Sequence, residues 1–437
     1  MKNFIGALLL FLSSLAIGQQ DARYAKIDSL LTYLNKNNKF MGALTIREGD
    51  NVFFNKGYGF ADVAKNREAS RLTKYKIGSV TKTFTAVIVL QLIEEKKLSL
   101  QTKLNRFYPK IKNAEKITIS DLLYQRTGIL DYINADSTMV KKVFEVNTKK
   151  DMLARIASYE PLFEPGSKFE YSNSNYYLLG CIIEEVTKKP YADNLNERIV
   201  SKINLKNTYY KASKIETSFN ESYSYIFDGT KWEEIPEWDN NMAFAAGAIT
   251  STPADLTRFM RVLFKDELIS KKSLDVMKTL KDSYGMALVQ FPFGQRKFYG
   301  HTGGIENFRA VVGYNPEDEL GISLIVNGDN FNRNEIMIGI LSIYYKVPYP
   351  FPTFAKIDPD QLIKYTGNYS SKELPLKIVI TEKNGELIAQ ATGQPSFPLT
   401  YVKDTVFVFQ TAGIEITFTE NGFILKQGGA KFTYTKD

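Results

Sequence analysis

Apolar residues at Ile27, Leu30, Leu31 and Leu34 share one helical face, so the spacing predicts an amphipathic helix over Ala22–Asn37. Two strand-like runs follow, Met41–Arg47 and Val52–Gly57, and Glu48-Gly49-Asp50-Asn51 between them reads as a hairpin turn. The next apolar run is of another kind. Phe84, Val87, Ile88, Val89, Leu90, Leu92 and Ile93 leave no polar face, which predicts a helix buried all round. From about Leu98 to Leu280 the pattern is mostly helical with long polar loops. Strand signals return at Ser283–Gln290, Lys297–Tyr299, Phe308–Tyr314 and Leu320–Val326, ahead of a helix-like Glu335–Tyr345. Strands on both sides of a helical stretch predict one sheet assembled from N- and C-terminal parts, with helices flanking it or forming a second lobe.

Val347-Pro-Tyr-Pro-Phe-Pro352 then interrupts every periodicity, as a proline-rich linker does. Beyond it the strands are short and alternating, and Lys383-Asn-Gly-Glu386 and Glu420-Asn-Gly-Phe423 are hairpin turns. The expected division is a signal peptide over 1–18, a main domain over 19–346, a linker over 347–357, and a small antiparallel β domain over 358–437, a barrel or half-barrel.

Composition narrows the classes. The 437 residues are 44% hydrophobic and 13% aromatic, as in a folded chain with a large core. The net charge of +8 is spread among interspersed Lys and Glu, with no basic block beside exposed aromatics, so nucleic acid is not an expected partner. Lys2, the apolar segment Phe4–Ile17 and small residues before Gln19-Gln20 predict export to the periplasm or the medium. No cysteine stands near that cut, and no later run reaches spanning length, so no membrane anchor is expected after cleavage. Cys181 is the only cysteine and lies in an apolar helix-like run, where a core role is expected.

Three stretches carry candidate chemistry. In Lys76-Ile-Gly-Ser-Val-Thr-Lys82, Ser79 and Lys82 lie one turn apart at a helix start, where unpaired N–H groups favour developing negative charge. Alone, this pair also fits an N-capping serine beside a solvated lysine. Phe163-Glu-Pro-Gly-Ser-Lys-Phe-Glu-Tyr171-Ser-Asn173 places a tyrosine and an asparagine at a turn into a helix. A phenol relays protons when nearby cations lower its pKa, although Tyr171 also fits a core aromatic. Tyr299-Gly-His301-Thr-Gly-Gly304 holds the only histidine, and its small residues let a ligand approach a strand edge. His301 is either a satisfied structural histidine or a group titrating near an unperturbed pKa of about 6.5. In the second case KM for carboxylate substrates would rise with pH.

Ser79-Val-Thr-Lys82, Tyr171-Ser-Asn173 and His301-Thr-Gly303 follow the order and rough spacing of the penicillin-recognising serine hydrolases. The chain resembles that family, which includes class C β-lactamases, D-alanyl-D-alanine carboxypeptidases, D-aminopeptidases and esterases, over roughly 25–345. Its third motif is similar to the histidine form found among carboxypeptidases and esterases. The tail resembles the lipocalin-like domains that some of these hydrolases carry. Where many relatives have His-Thr-Ser-Gly, this chain reads Gln125-Arg-Thr-Gly128, an expected change in cleft lining.

The resemblance implies a serine β-lactamase/DD-peptidase-like α/β (α+β) fold, an antiparallel sheet flanked by helices plus a helical lobe. It implies an acyl-enzyme on Ser79, with Lys82 and Tyr171 as the proton-handling residues and the choice of base between them open. Asn173, His301, Thr302 and Gly303 would bind substrate, and the backbone N–H groups of Ser79 and Gly304 would form the oxyanion hole. No cofactor or metal is implied. Partners would be a small peptide, amide or ester, with peptidoglycan-derived peptides among them. A non-catalytic penicillin-binding or peptidoglycan-sensing protein on the same fold is the alternative.

Overall fold

Strand β1 (Phe40–Glu48) is buried along nearly its whole length, because both faces of the sheet that contains it are covered. The computed structural model describes residues 21–135, 142–354, 357–409 and 412–437; the expected signal peptide lies outside them. β1 turns through Gly49 and Asp50 into β2 (Asn51–Tyr58), the hairpin its sequence predicts. Four strands from the far side of the chain complete the sheet: β3 (Val289–Phe293), β4 (Arg296–Ile305), β5 (Phe308–Asn315) and β6 (Leu320–Asp329). The antiparallel order is β3-β4-β5-β6-β1-β2, so β1 pairs with β6 and joins the two ends of the chain.

The period of two along β6 sends its side chains to two cores. Ile322, Leu324 and Val326 meet helices α1 (Ala22–Lys36) and α5 (Arg333–Tyr344), while Ile325 faces the opposite core. That second core holds α2 (Thr81–Glu94), α3 (Asn173–Thr187) and α4 (Pro253–Phe264). Helix α2 is its axis: Thr81 through Leu92 are all buried, and Phe84 stacks on Phe259 at 3.8 Å between ring centroids. Each of its Val, Ile, Leu and Phe side chains contributes roughly 1.5–3 kcal/mol by burial. Whatever α2 carries at its N-terminus is therefore rigidly held. Cys181 lies buried within α3, and burial pushes its thiol up to about 12, which fits a core residue. Between Leu98 and Leu280 the sequence pattern missed short strands at Tyr209–Tyr210, Tyr225–Phe227, Trp232–Glu234 and Ile249–Ser251, each too brief to show a period.

The proline-rich segment after α5 is irregular but not loose. Tyr349, Phe351 and Phe354 pack on the α1–α5 core, and Phe354 stacks on Tyr33 at 5.5 Å. The tail forms a closed eight-stranded barrel, from Gly367–Ser370 to Ala430–Lys436, with its own apolar centre around Phe407, Phe418 and Phe423. Because that centre shares no residue with the other two cores, a chain ending near residue 356 is expected to stay soluble and keep activity on small substrates. Insolubility of the shortened chain, beside a well-behaved parent, would show that the barrel completes the main domain.

Candidate active site

Ser79 sits in the 3₁₀ turn Gly78–Val80 that runs directly into α2. Gly78 has φ +51°, and a Cβ there would lie 2.5 Å from the Gly304 nitrogen. A Cβ on Gly303 would overlap the Ile77 carbonyl oxygen and lie 3.0 Å from the Ser79 nitrogen. The serine turn and strand β4 thus touch backbone to backbone, and glycine is required on both sides. This brings the Ser79 and Gly304 amides side by side.

Lys82 is fully buried one turn into α2. Its Nζ donates to Ser79 Oγ at 2.9 Å, to Asn173 Oδ1 at 2.7 Å and to the Ala246 carbonyl at 2.7 Å. Burial brings its pKa down to about 7, against the opposing pull of Asp131. The Tyr171 ring stands beside the same amine, its centroid 5.0 Å from Lys82 Nζ. The sequence expectation was a phenol whose pKa is lowered by cations. Burial instead raises it, and the Asp131 charge adds to the rise.

Asn173 opens α3 and works in both directions. Lysine can only donate and a carboxylate can only accept, so its Oδ1 faces Lys82 and its Nδ2 donates to Asp131 at 3.0 and 3.2 Å. Asp131 is buried, which raises its pKa, while hydrogen bonds and the Lys82 charge oppose that rise. Sequence reasoning passed over Asp131; its place just after Gly128-Ile129 in a motif-bearing loop was the only signal. The Ala246 carbonyl was likewise invisible. It follows Phe244, which is held at φ +37°, ψ −132° among the rings of Tyr177, Tyr191 and Tyr210. A bulky residue keeps such a conformation only when packing enforces it. The kink directs the Ala245 carbonyl to Thr85 and the Ala246 carbonyl to Lys82.

Gln125 corrects an expectation. It does not line the cleft but is fully buried behind the Tyr171 turn, where its Oε1 accepts from Ser172 N and Asn175 Nδ2. His301 has the surroundings of the first of its two readings, a satisfied structural histidine. The imidazole is 4% exposed; its Nδ1 donates to the Thr302 carbonyl and its Nε2 accepts from the Tyr284 hydroxyl at 3.1 Å. Burial, reinforced by nearby Lys82, lowers its pKa to about 4. It is therefore neutral from pH 6 to 8, not titrating near neutrality. Carboxylate and neutral ester substrates are expected to share one pH profile for KM in that window, and the His301 proton resonances should stay flat. A pH-dependent KM confined to carboxylate substrates would contradict this environment. Thr302 and Gly304 are exposed on the same strand and border a groove of about 1020 Å³ that extends past Arg309 toward α5.

A sheet packed between two helical cores, with a serine turn leading a buried central helix and a closed β barrel behind, defines the β-lactamase/penicillin-binding-protein-like fold. Residues 27–340 match the Beta-lactamase family, and the chain belongs to it. It is similar to Protein flp of Staphylococcus aureus, with 30% identity over 319 residues, 69% of this chain; the chain spans 62% of the length of that relative. Its fold is similar to that of the octameric penicillin-binding protein homologue from Pyrococcus abyssi, with TM-score 0.70 and 22% identity over 94% of this chain and 99% of that one. It is also similar to that of the D-amino acid amidase from Ochrobactrum anthropi SV3 complexed with L-phenylalanine amide, with TM-score 0.66 and 23% identity over 74% and 99%.

Proposed function

We propose that the chain is a serine hydrolase that forms an acyl-enzyme on Ser79. The observation that carries this reading is a lysine amine 2.9 Å from the serine hydroxyl in a site dry enough to bring its pKa down to about 7. At neutral pH roughly half of such an amine is unprotonated. Ser79 Oγ attacks the substrate carbonyl while its proton passes to Lys82 Nζ, and the negative charge gathers on the carbonyl oxygen beside the Ser79 and Gly304 N–H groups. Lys82 returns the proton by way of the Tyr171 hydroxyl to the departing amine or alcohol as the carbonyl bond to it breaks. Water then attacks the acyl carbon, and its proton passes through the same pair to Ser79 Oγ as the acyl bond to Oγ breaks and the acid is released. Of the two, Lys82 is the base in acylation, because Tyr171 is held above its ordinary pKa. Asn173 keeps the amine in place, and Thr302 with the His301–Gly303 edge holds the substrate.

The substrate we infer is a peptide, amide or ester containing a D-amino acid, in the manner of carboxypeptidases, aminopeptidases and esterases. Support comes from the likeness to a D-amino acid amidase and to a penicillin-binding protein homologue, and peptidoglycan fragments belong to that class. The basic, apolar start of the chain supports export, which would place the enzyme beside them. Treatment with a fluorophosphonate or a labelled penicillin, followed by intact mass and peptide mapping, is expected to find one adduct, on Ser79. An adduct with no turnover of any ester or amide would mark a penicillin-binding sensor instead, and no adduct would remove Ser79 as a nucleophile.

A further inference from the structure

The serine turn and strand β4 are joined by an ion pair that the chemistry above does not use. Lys76 lies on the short strand Tyr75–Lys76, immediately ahead of that turn, and is paired with Thr250. Its side chain is 3% exposed, and Nζ donates to Glu306 Oε1 at 2.6 Å; the Glu306 side chain is 1% exposed. Glu306 stands just past Gly304, in the tight turn from β4 to β5, at φ +52°. The same Oε1 accepts from Trp238 N at 2.8 Å, while Oε2 is buried without a partner among the described residues. Glu237, 3.7 Å from the Lys76 amine, is itself anchored by Ile215 N at 2.8 Å.

A pair this dry is a poor source of stability, because apolar residues of similar volume do as well. Its placement is geometric. One partner belongs to the segment that carries the Ser79 N–H and the other to the segment that carries the Gly304 N–H. Between them the chains meet at Gly78 and Gly303 with no side chain as a cushion. Backbone contact sets how near the two amides come, and the ion pair keeps them from parting.

We propose that Lys76 and Glu306 are positioning residues that fix the spacing of the Ser79 and Gly304 N–H groups, and with it the fit of the oxyanion. This rests on Ser79 being the nucleophile. In full-length protein, Glu306→Gln and the paired apolar replacement Lys76→Met/Glu306→Met are expected to lower kcat on a p-nitrophenyl ester about 10–100-fold per fluorophosphonate-titrated serine. KM should stay within about twofold of the parent, because the ground-state carbonyl needs the amides less than the oxyanion does. Affinity for a phenylboronic acid, whose serine adduct is tetrahedral, should fall in parallel with kcat. The apolar pair keeps the test open if the single variant misfolds. Parental kcat per titrated serine with parental boronate affinity, in either folded variant, would overturn the proposal and leave the pair a packing feature. A parent with no titratable Ser79 would instead remove the nucleophile, and the proposal with it.

Discussion

Ser79→Ala is expected to lower kcat on an ester by at least about 10³-fold and to abolish the covalent adduct, while the protein stays folded. Among the described residues the Ser79 hydroxyl is the one hydroxyl that Lys82 Nζ donates to, so no neighbouring group can take its place. What the fold loses is small. Ser79 is not a capping residue, since its turn shows no side-chain cap bond, and its partners retain others: Lys82 keeps Asn173 and Ala246. One lost hydrogen bond contributes about 1 kcal/mol, a few degrees of unfolding midpoint at most. Purified Ser79→Ala protein with parental activity would point to another nucleophile.

Lys82→Ala should cost nearly as much, about 10²–10⁴-fold, and the reason can be tested in the parent without mutation. An amine lowered to about 7 by burial is protonated, and useless as a base, below that pH and free above it. With acylation rate-limiting, kcat/KM should therefore rise between pH 6 and 8 along a single limb centred near 7. His301, at about 4, and Tyr171, raised, contribute no limb there. A flat profile across that window would remove Lys82 as the base, as would a Lys82→Ala variant acylating at the parental rate. Lysine methylation of the folded protein should spare this amine, which has no exposed surface.

The parts of the site that could be read along the chain are those set by local geometry. Ser79 and Lys82 face each other because a helix puts them one turn apart, and the apolar ring from Phe84 to Leu92 announces that the helix is buried. The hairpin at Gly49 and the Asn-Gly turns of the barrel are legible for the same reason: turn chemistry is written in two or three adjacent residues. Asp131 reaches Lys82 by its charge and by way of Asn173, contacts made by the tertiary fold that the loop sequence around it does not display. The Ala246 carbonyl is backbone, so no side chain could advertise it. Sequence leaves the depth of Gln125 and His301 open, because depth depends on what packs behind the turn. The length of β4 was also understated, since its run of small residues, Gly300 to Gly304, hides a strand that extends to Ile305.

The barrel is closed by its last strand: Ala430–Lys436 pairs both with its neighbour Gly422–Gln427 and with the first strand, at Tyr369 and Ser370. During translation the first seven strands can form only an open, curved ribbon, with two unpaired backbone ladders, until residues 430–436 clear the ribosome. Such ladders are templates for pairing with other chains. A frameshift or stop codon within the stretch encoding residues 430–436 would thus do more than shorten a surface domain. It would leave a sticky-edged ribbon tethered to an otherwise finished main domain, and the damage would register first as aggregation.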